Sequence, residues 1–204
     1  MTVRIGLFGG CFNPVHLGHL AAARAARDHL ALDRVIFIPS GHPPLKGATG
    51  LLAGADRLAM LELALRGEPD MEASDIEIQR EGPSYTVDTV RTLRATFPAR
   101  AELFFLLGGD CLARLPQWKG IEELRAKVRF AILPRGGQGR ETSADGLIEV
   151  PMPEIALSST LVRKRCALGE PQDGLVPEPV AAYLRRHQPY AVRQPACLSA
   201  GAAA

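Results

Sequence analysis

Hydrophobic and polar positions follow two different periods along this chain, and together they predict strands separated by helices. Short, nearly continuous apolar runs occupy residues 3–8, 34–38, 102–107 and 129–133, which is typical of strands buried on both faces. Helices are predicted at 17–30, 55–65, 159–167 and 178–187, and Ser84 is placed to cap another that runs to about Phe97. The stretch SDIEIQR (74–80) alternates apolar and polar residues, which predicts a half-exposed strand.

Buried strands that alternate with helices predict the α/β class, with a doubly wound parallel sheet covered on both faces. No repeat or linker divides the chain, so we expect one domain over residues 1–190 and a disordered tail at 191–204. With 204 residues, 47% of them hydrophobic and 23% charged, the chain suits an ordinary compact domain. The net charge of +2 favours neither nucleic acid nor a lipid surface as a partner, and leaves small anionic ligands open.

Cysteine usage and hydropathy indicate the compartment. Cys11, Cys111, Cys166 and Cys197 lack the paired spacings of a metal ribbon or a redox motif, which favours reduced thiols. The sequence shows neither a signal-peptide pattern nor an apolar run long enough to cross a bilayer. We therefore expect a cytoplasmic protein.

The unusual loops of this sequence all follow predicted strands. GGCFNPVHLGH comes after the first strand, PSGHPPLKG after the second, GGDCLARLPQW after ELFFLL, and PRGG after RFAIL. Because the carboxyl ends of parallel strands meet at one edge of a sheet, we expect a ligand site at that edge.

The first of these loops has the composition of an anion site. Gly9 and Gly10 let backbone amides approach a phosphate closely, and a helix expected to begin near Val15 presents its positive end there. His16 and His19 are one helical turn apart, so both imidazoles can face the same phosphate oxygens and donate hydrogen bonds to them. Two alternatives stay open: one histidine in the core and one in solvent, or a shared zinc, for which no third ligand has supporting spacing.

Two motifs resemble those of the HxGH nucleotidyltransferase superfamily. The residues of the first, GxFxPxHxGH, are Gly10, Phe12, Pro14, His16, Gly18 and His19. The second is SSTLVR at 158–163, in which Ser158, Ser159 and Thr160 can cap a helix start and Arg163 lies one turn later. The resemblance implies transfer of a nucleoside monophosphate from a triphosphate, on a Rossmann-like nucleotidyltransferase fold with a small C-terminal helical region.

Other segments resemble the family of nicotinic acid mononucleotide adenylyltransferases, bacterial enzymes of NAD synthesis. These segments are EGPSYTVDTVRTLR (81–94), FFLLGGDCLARLPQW (104–118), IPSGHPPLKG and VPEPVAAYLRRHQPY. The resemblance covers about residues 3–190. It implies that ATP and nicotinate mononucleotide give deamido-NAD and pyrophosphate, with Mg²⁺ bound through the ATP phosphates and no metal held by protein side chains.

The resemblance and the chemistry together assign roles to individual residues. We expect His16 and His19 at the triphosphate, with His19 at the α-phosphate, and Lys46 and Arg163 at the β and γ oxygens or the leaving pyrophosphate. These four are the predicted catalytic residues. The other ATP-binding residues are expected to be Gly9, Gly10, Cys11, Phe12, Gly18, Gly108, Arg135, Ser158, Ser159 and Thr160. Nicotinate mononucleotide is expected to contact Lys46, Tyr85, Thr86, Asp110 and Trp118.

The physical reasons differ among the pyridine-side residues. The indole face of Trp118 suits a flat cationic ring. Thr86 lies at a predicted helix start, whose amides can bind the nicotinate carboxylate. Asp110 stands where the family holds ribose hydroxyls. The structural alternatives are a core aromatic for Trp118 and a helix cap for Asp110.

Three residues depart from the family pattern. Leu45 stands in a PPLK loop where PPHK is common, so it cannot donate the hydrogen bond that a histidine would, while Asn13 and Cys11 replace the usual aspartate and threonine. Neither GxGxxG nor GxxxxGK[ST] occurs, which argues against a dehydrogenase and a P-loop kinase. Adenylyl transfer to nicotinamide mononucleotide, pantetheine phosphate or FMN, and a non-catalytic nucleotide-binding regulator, are the remaining alternatives. The oligomeric state and the preference for nicotinate over nicotinamide stay open.

Overall fold

The computed structural model describes residues 2–42, 50–134, 146–153 and 155–191. The strands are β1 (Arg4–Gly10), β2 (Arg34–Pro39), β3 (Met71–Ala73), β4 (Glu102–Gly108), β5 (Arg129–Leu133) and β6 (Ile148–Glu149). The helices are α1 (Leu17–Leu30), α2 (Gly54–Ala64), α3 (Thr86–Thr96), α4 (Ile121–Lys127), α5 (Ser159–Ala167) and α6 (Glu178–His187), and residues Gly109–Gln117 form a 3-10 helix.

The described strands form one parallel sheet in the order β3-β2-β1-β4-β5-β6. At the centre of the sheet, Phe8 of β1 pairs in register with Phe37 of β2 on one side and Leu106 of β4 on the other. The chain order reverses between β1 and β4, so the loops after these two strands diverge and leave a crevice. The predicted doubly wound α/β class is confirmed.

Alternating side chains of the strands build two apolar layers, one on each face of the sheet. Phe8, Phe37 and Leu106 point to the layer that holds buried residues of α1, α2, α5 and α6. Leu7 and Phe105 point to the opposite layer, which is closed by α3, α4 and the 3-10 helix. Because both faces are covered, the central strands are apolar throughout, which explains their continuous hydrophobic runs.

Several predicted boundaries were wrong. The stretch 74–80 is not a strand, because pairing with β2 ends at Ala73 and the next residues close a turn in which Gln79 N–H donates to the Asp75 carbonyl. The cap of α3 is Tyr85, while the Ser84 hydroxyl donates to the Glu77 carbonyl, 3.4 Å away. Helix α1 spans Leu17–Leu30, as its hydrophobic spacing predicted, with His16 as its cap, so only the start near Val15 that the motif suggested was wrong.

Two further expectations concern the ends and surface of the chain. The predicted tail at 191–204 lies outside the described residues except for Ala191, so it stays a prediction. Among the described helices, none is both long and apolar enough to span a bilayer.

Candidate active site

The first of two adjoining cavities opens at the carboxyl ends of β1 and β4. It has a volume of about 440 Å³ and lies between the start of α1 and the start of α5. Its lining includes these residues of the predicted ATP set: Gly9, Gly10, Cys11, Phe12, His16, Gly18, His19, Gly108, Ser158, Ser159, Thr160 and Arg163. The fold therefore brings together two motifs that are more than a hundred residues apart in the chain.

The two histidines form a stacked pair in the wall of this first cavity. The ring centroids of His16 and His19 are 3.7 Å apart at an interplanar angle of 30°, and the Phe12 ring meets His19 edge-on at 5.0 Å. The backbone N–H of His16 donates to Nδ1 of His19 at 3.2 Å. Because a neutral imidazole that accepts at Nδ1 carries its proton on Nε2, His19 has a donor on its other nitrogen.

Arg163 reaches this cavity from α5. Its two terminal nitrogens donate to the Asn13 carbonyl at 2.8 Å and to the Thr160 hydroxyl at 3.1 Å. Ser158 caps α5 by accepting from Leu161 N–H at 3.2 Å, and the Ser159 hydroxyl donates to the Pro14 carbonyl at 2.9 Å. These bonds hold the start of α5 against the loop that follows β1. The Arg163 guanidinium and the imidazoles of His16 and His19 therefore line the same cavity.

The second cavity, about 620 Å³ in volume, lies on the other side of the β1 end. The lining includes four of the residues that were predicted to contact nicotinate mononucleotide: Tyr85, Thr86, Asp110 and Trp118. Thr86 is the first residue of α3. The Trp118 ring packs edge-on against Phe105, with centroids 5.7 Å apart. Of the predicted residues on this side, Lys46 lies outside the described part of the chain, as does Arg135 on the ATP side and the divergent Leu45.

The two cavities meet along a shared wall, formed by Gly9, Gly10, Cys11, Asp110 and Cys111. Two of these are the last residues of β1, and two others lie in the first turn of the 3-10 helix after β4. A ligand in one cavity can therefore reach a ligand in the other over the ends of the two central strands.

Two basic residues of the second cavity were missed by the sequence reasoning. Arg114 and Lys119 line it, and the Lys119 ammonium lies 4.1 Å from the centroid of the Tyr85 ring and 3.8 Å from a carboxylate oxygen of Asp88. A cation over an aromatic face is held by the negative face of the ring. Their position could have been predicted, because both residues belong to the segment GGDCLARLPQWKG (108–120), which follows a central strand.

A buried arginine behind the site was also missed. The Arg57 guanidinium donates to the carbonyls of Leu52, Cys11 and Ser40 at 3.0, 2.9 and 2.6 Å, and only 1% of the residue is exposed. Burial lowers the pKa of Arg57, an effect partly offset by the neighbouring Cys11, Tyr190 and Glu77. This one side chain ties the loop after β1 to the loop after β2 and to the segment before α2.

The role of Arg57 predicts a large effect on stability. Arg57→Met should lower the free energy of unfolding by about 3 kcal/mol or more, because each of the three carbonyls left without a donor costs about 1–3 kcal/mol. Urea unfolding followed by circular dichroism measures this. Arg66→Met is the matched control, since Arg66 is exposed just after α2 and its loss should cost under about 0.5 kcal/mol. Equal stability of the two variants would contradict the structural role.

A buried acid, Glu77, lies in the wall of the second cavity. It accepts a hydrogen bond of 2.8 Å from the Thr89 hydroxyl, which in turn accepts from Arg80 at 2.9 Å. Burial raises the pKa of Glu77, while the bonds from Thr89 and the Gly41 amide and the charges of Arg80 and Arg57 act against that rise.

In the described residues, no group of three or more histidine, cysteine or acidic side chains is arranged to hold a metal ion.

Comparisons with known proteins agree with this geometry. The cytidylyltransferase-like family model matches residues 7–165. A solved structure, Plasmodium falciparum nicotinic acid mononucleotide adenylyltransferase complexed with NaAD, superimposes with a TM-score of 0.77 at 16% identity, covering 92% of this chain and 97% of that one. At that identity the likeness shows the fold. The family match over residues 7–165 shows that the chain is a nucleotidyltransferase of the cytidylyltransferase-like class.

Curated relatives place the chain more narrowly. A Dehalococcoides mccartyi protein with the name probable nicotinate-nucleotide adenylyltransferase is 39% identical over 200 residues, which cover 93% of this chain and 98% of that protein. A Gloeobacter violaceus protein of the same name is 41% identical over 203 residues, covering 94% and 98%. The chain belongs to the nicotinate-nucleotide adenylyltransferase family.

Proposed function

We propose that this chain joins ATP and nicotinate mononucleotide to give deamido-NAD and pyrophosphate, as a cytoplasmic enzyme of NAD biosynthesis. The observation that carries the proposal is the shared wall between the two cavities. A triphosphate beside the histidines and a pyridine nucleotide beside Trp118 would bring their phosphates together over Gly9 and Gly10. The small ligands are then the partners of this site.

The proposed reaction requires no covalent bond between the protein and a substrate. The phosphate of the mononucleotide is already a nucleophile, so the rate depends on alignment and on neutralising charge. The protonated Nε2 of His19 would donate to the α-phosphate as negative charge grows there, with His16 stacked beside it. Arg163 would hold oxygens of the leaving pyrophosphate from the opposite side. We expect no enzyme-bound intermediate.

Mg²⁺ fits this site as a companion of the triphosphate. Asp110 is the carboxylate of the shared wall, and phosphate oxygens supply the hard ligands that this ion prefers. When bound, the ion would neutralise charge on the phosphate oxygens. Asp110 is also expected to hold ribose hydroxyls of the second substrate.

A direct assay tests the proposed function. The purified chain is incubated with ATP and Mg²⁺, and pyrophosphate release is followed with nicotinate mononucleotide, nicotinamide mononucleotide, pantetheine phosphate, FMN or no acceptor. Release that requires nicotinate mononucleotide, with the mass of deamido-NAD in the product, is the expected result. Release with another acceptor alone would reassign the substrate, and no release with any acceptor would favour a nucleotide-binding regulator.

Trp118 gives a prediction for the second cavity. Trp118→Ala should raise KM for nicotinate mononucleotide about tenfold and leave KM for ATP within about twofold, because stacking and cation–π attraction contribute about 1–2 kcal/mol. Steady-state kinetics in each substrate measures both constants, and Trp118→Phe should lie between wild type and alanine. The chain contains a single tryptophan, so quenching of its fluorescence by nicotinate mononucleotide reads the contact in the wild type. Unchanged KM and no quenching would remove Trp118 from the site.

A further inference from the structure

Asn13 lies in the wall of the first cavity and bonds to several segments that are distant from it in sequence. Its side-chain oxygen accepts from the Tyr190 hydroxyl at 2.8 Å and from Leu52 N–H at 3.2 Å. Its side-chain nitrogen donates to the Gly50 carbonyl at 2.8 Å. An amide is needed for this set, since a carboxylate has no donor for Gly50. The departure from the family's usual aspartate therefore has a local hydrogen-bonding reason.

The backbone of Asn13 connects this cluster to the predicted catalytic arginine. The Asn13 carbonyl accepts from Arg163 at 2.8 Å, and both residues line the first cavity. The next carbonyl, that of Pro14, accepts from Ser159 at the start of α5. Where the Asn13 peptide lies therefore decides where the guanidinium of Arg163 lies.

Tyr190 holds Asn13 from outside the cavity. It follows α6 by three residues, lies 177 positions from Asn13 in sequence, and packs its partly buried ring against the core layer of α1 and α6. Tyr190 is not among the residues that line either cavity. The Tyr190 hydroxyl is the donor in its bond to Asn13, and burial raises the pKa of this hydroxyl above its ordinary value.

We propose that Tyr190 is a positioning residue for the ATP side of the reaction, acting through Asn13 on Arg163. The proposal rests on the proposed function and goes beyond it, because it assigns a role in ATP binding to the end of the described chain. The hydroxyl fixes the Asn13 side chain, the Asn13 peptide fixes the guanidinium, and the guanidinium meets the triphosphate. None of the three residues in this series of contacts lines the second cavity.

The test compares two tyrosine hydroxyls. Tyr190→Phe should raise KM for ATP about fivefold to tenfold while KM for nicotinate mononucleotide stays within about twofold. Tyr183→Phe is the matched control, since the Tyr183 hydroxyl also donates to a side-chain oxygen, that of Asp56 at 2.7 Å, and its ring packs on the same core layer. The control should lose comparable thermal stability with an unchanged KM for ATP.

A double-mutant cycle shows whether Arg163 transmits the effect. In an Arg163→Ala background, Tyr190→Phe should change KM for ATP by less than about twofold, because the group that it positions is gone. Equal changes in both KM values, a Tyr183→Phe effect as large as that of Tyr190→Phe, or additive effects in the cycle would overturn the proposal. Calorimetric binding of ATP alone to wild type and Tyr190→Phe reads the same change without turnover. A failure of the proposed reaction would therefore be seen separately.

Discussion

Replacing His19 with alanine is expected to lower kcat for deamido-NAD formation by about 10²–10³-fold. In the proposed mechanism the change removes a donor aimed at charge that develops on the α-phosphate, and loss of one such donor has effects of about this size. Substrate binding should change less, because the bond strengthens mainly in the transition state. Stopped assays of pyrophosphate release at saturating ATP and nicotinate mononucleotide measure the fall.

The control for His19 lies on the same helix. His29 is exposed in the last turn of α1, far along the helix from the stacked pair, and His29→Ala should leave kcat unchanged. Because His19 packs between Phe12 and His16, thermal unfolding of His19→Ala must show a folded protein under assay conditions. A folded variant with near-normal turnover would remove His19 from the mechanism.

Replacing Arg163 with alanine is expected to lower kcat/KM for ATP about a hundredfold. Its fork of donors can bond two phosphate oxygens, and two charge-assisted bonds contribute about 3 kcal/mol together, which corresponds to that factor. Arg163→Lys should recover only part of the activity, since an ammonium keeps the charge and loses the fork geometry. Initial rates over a range of ATP concentrations separate KM from kcat.

Arg165 provides the comparison for this experiment. It lies two residues further along α5, is partly exposed, and pairs with Glu170 at 3.7 Å outside the cavity lining. Arg165→Ala should leave the kinetics in ATP unchanged, because surface ion pairs contribute little and neither residue of this pair lines either cavity. Equal losses for the Arg163 and Arg165 variants would indicate a general effect of charge on α5 and would contradict a specific phosphate contact.

The central strands and the location of the site could be predicted from the sequence for one physical reason. Strands covered on both faces are continuously apolar, so β1, β2, β4 and β5 stand out as hydrophobic runs, and the loops after them must share an edge. The bounds of α5 and α6 also agree with the prediction. Strand β3 was misplaced because it has three residues, too few for any period to show.

The residues that support the site could not be predicted from local pattern. Arg57 directly follows Asp56 in α2, and because arginine side chains are mostly exposed, its sequence position predicts a surface charge. Its burial depends on carbonyls from three other segments. The same holds for Tyr190 and Asn13, whose bond joins opposite ends of the chain. The spacing of residues along the sequence does not predict such contacts, because they form only when the sheet and its helices have packed together.

The shared wall also bears on how turnover ends. In the proposed function, a dinucleotide with adenylate at one end and nicotinate at the other would lie across both cavities, so both halves must dissociate before it can diffuse away. Covalent linkage gives each half of the product the advantage of a tethered ligand, which neither substrate has alone. Accumulated deamido-NAD would therefore compete with both ATP and nicotinate mononucleotide. Because the two cavities adjoin, the enzyme would be inhibited by its own product when that product is abundant.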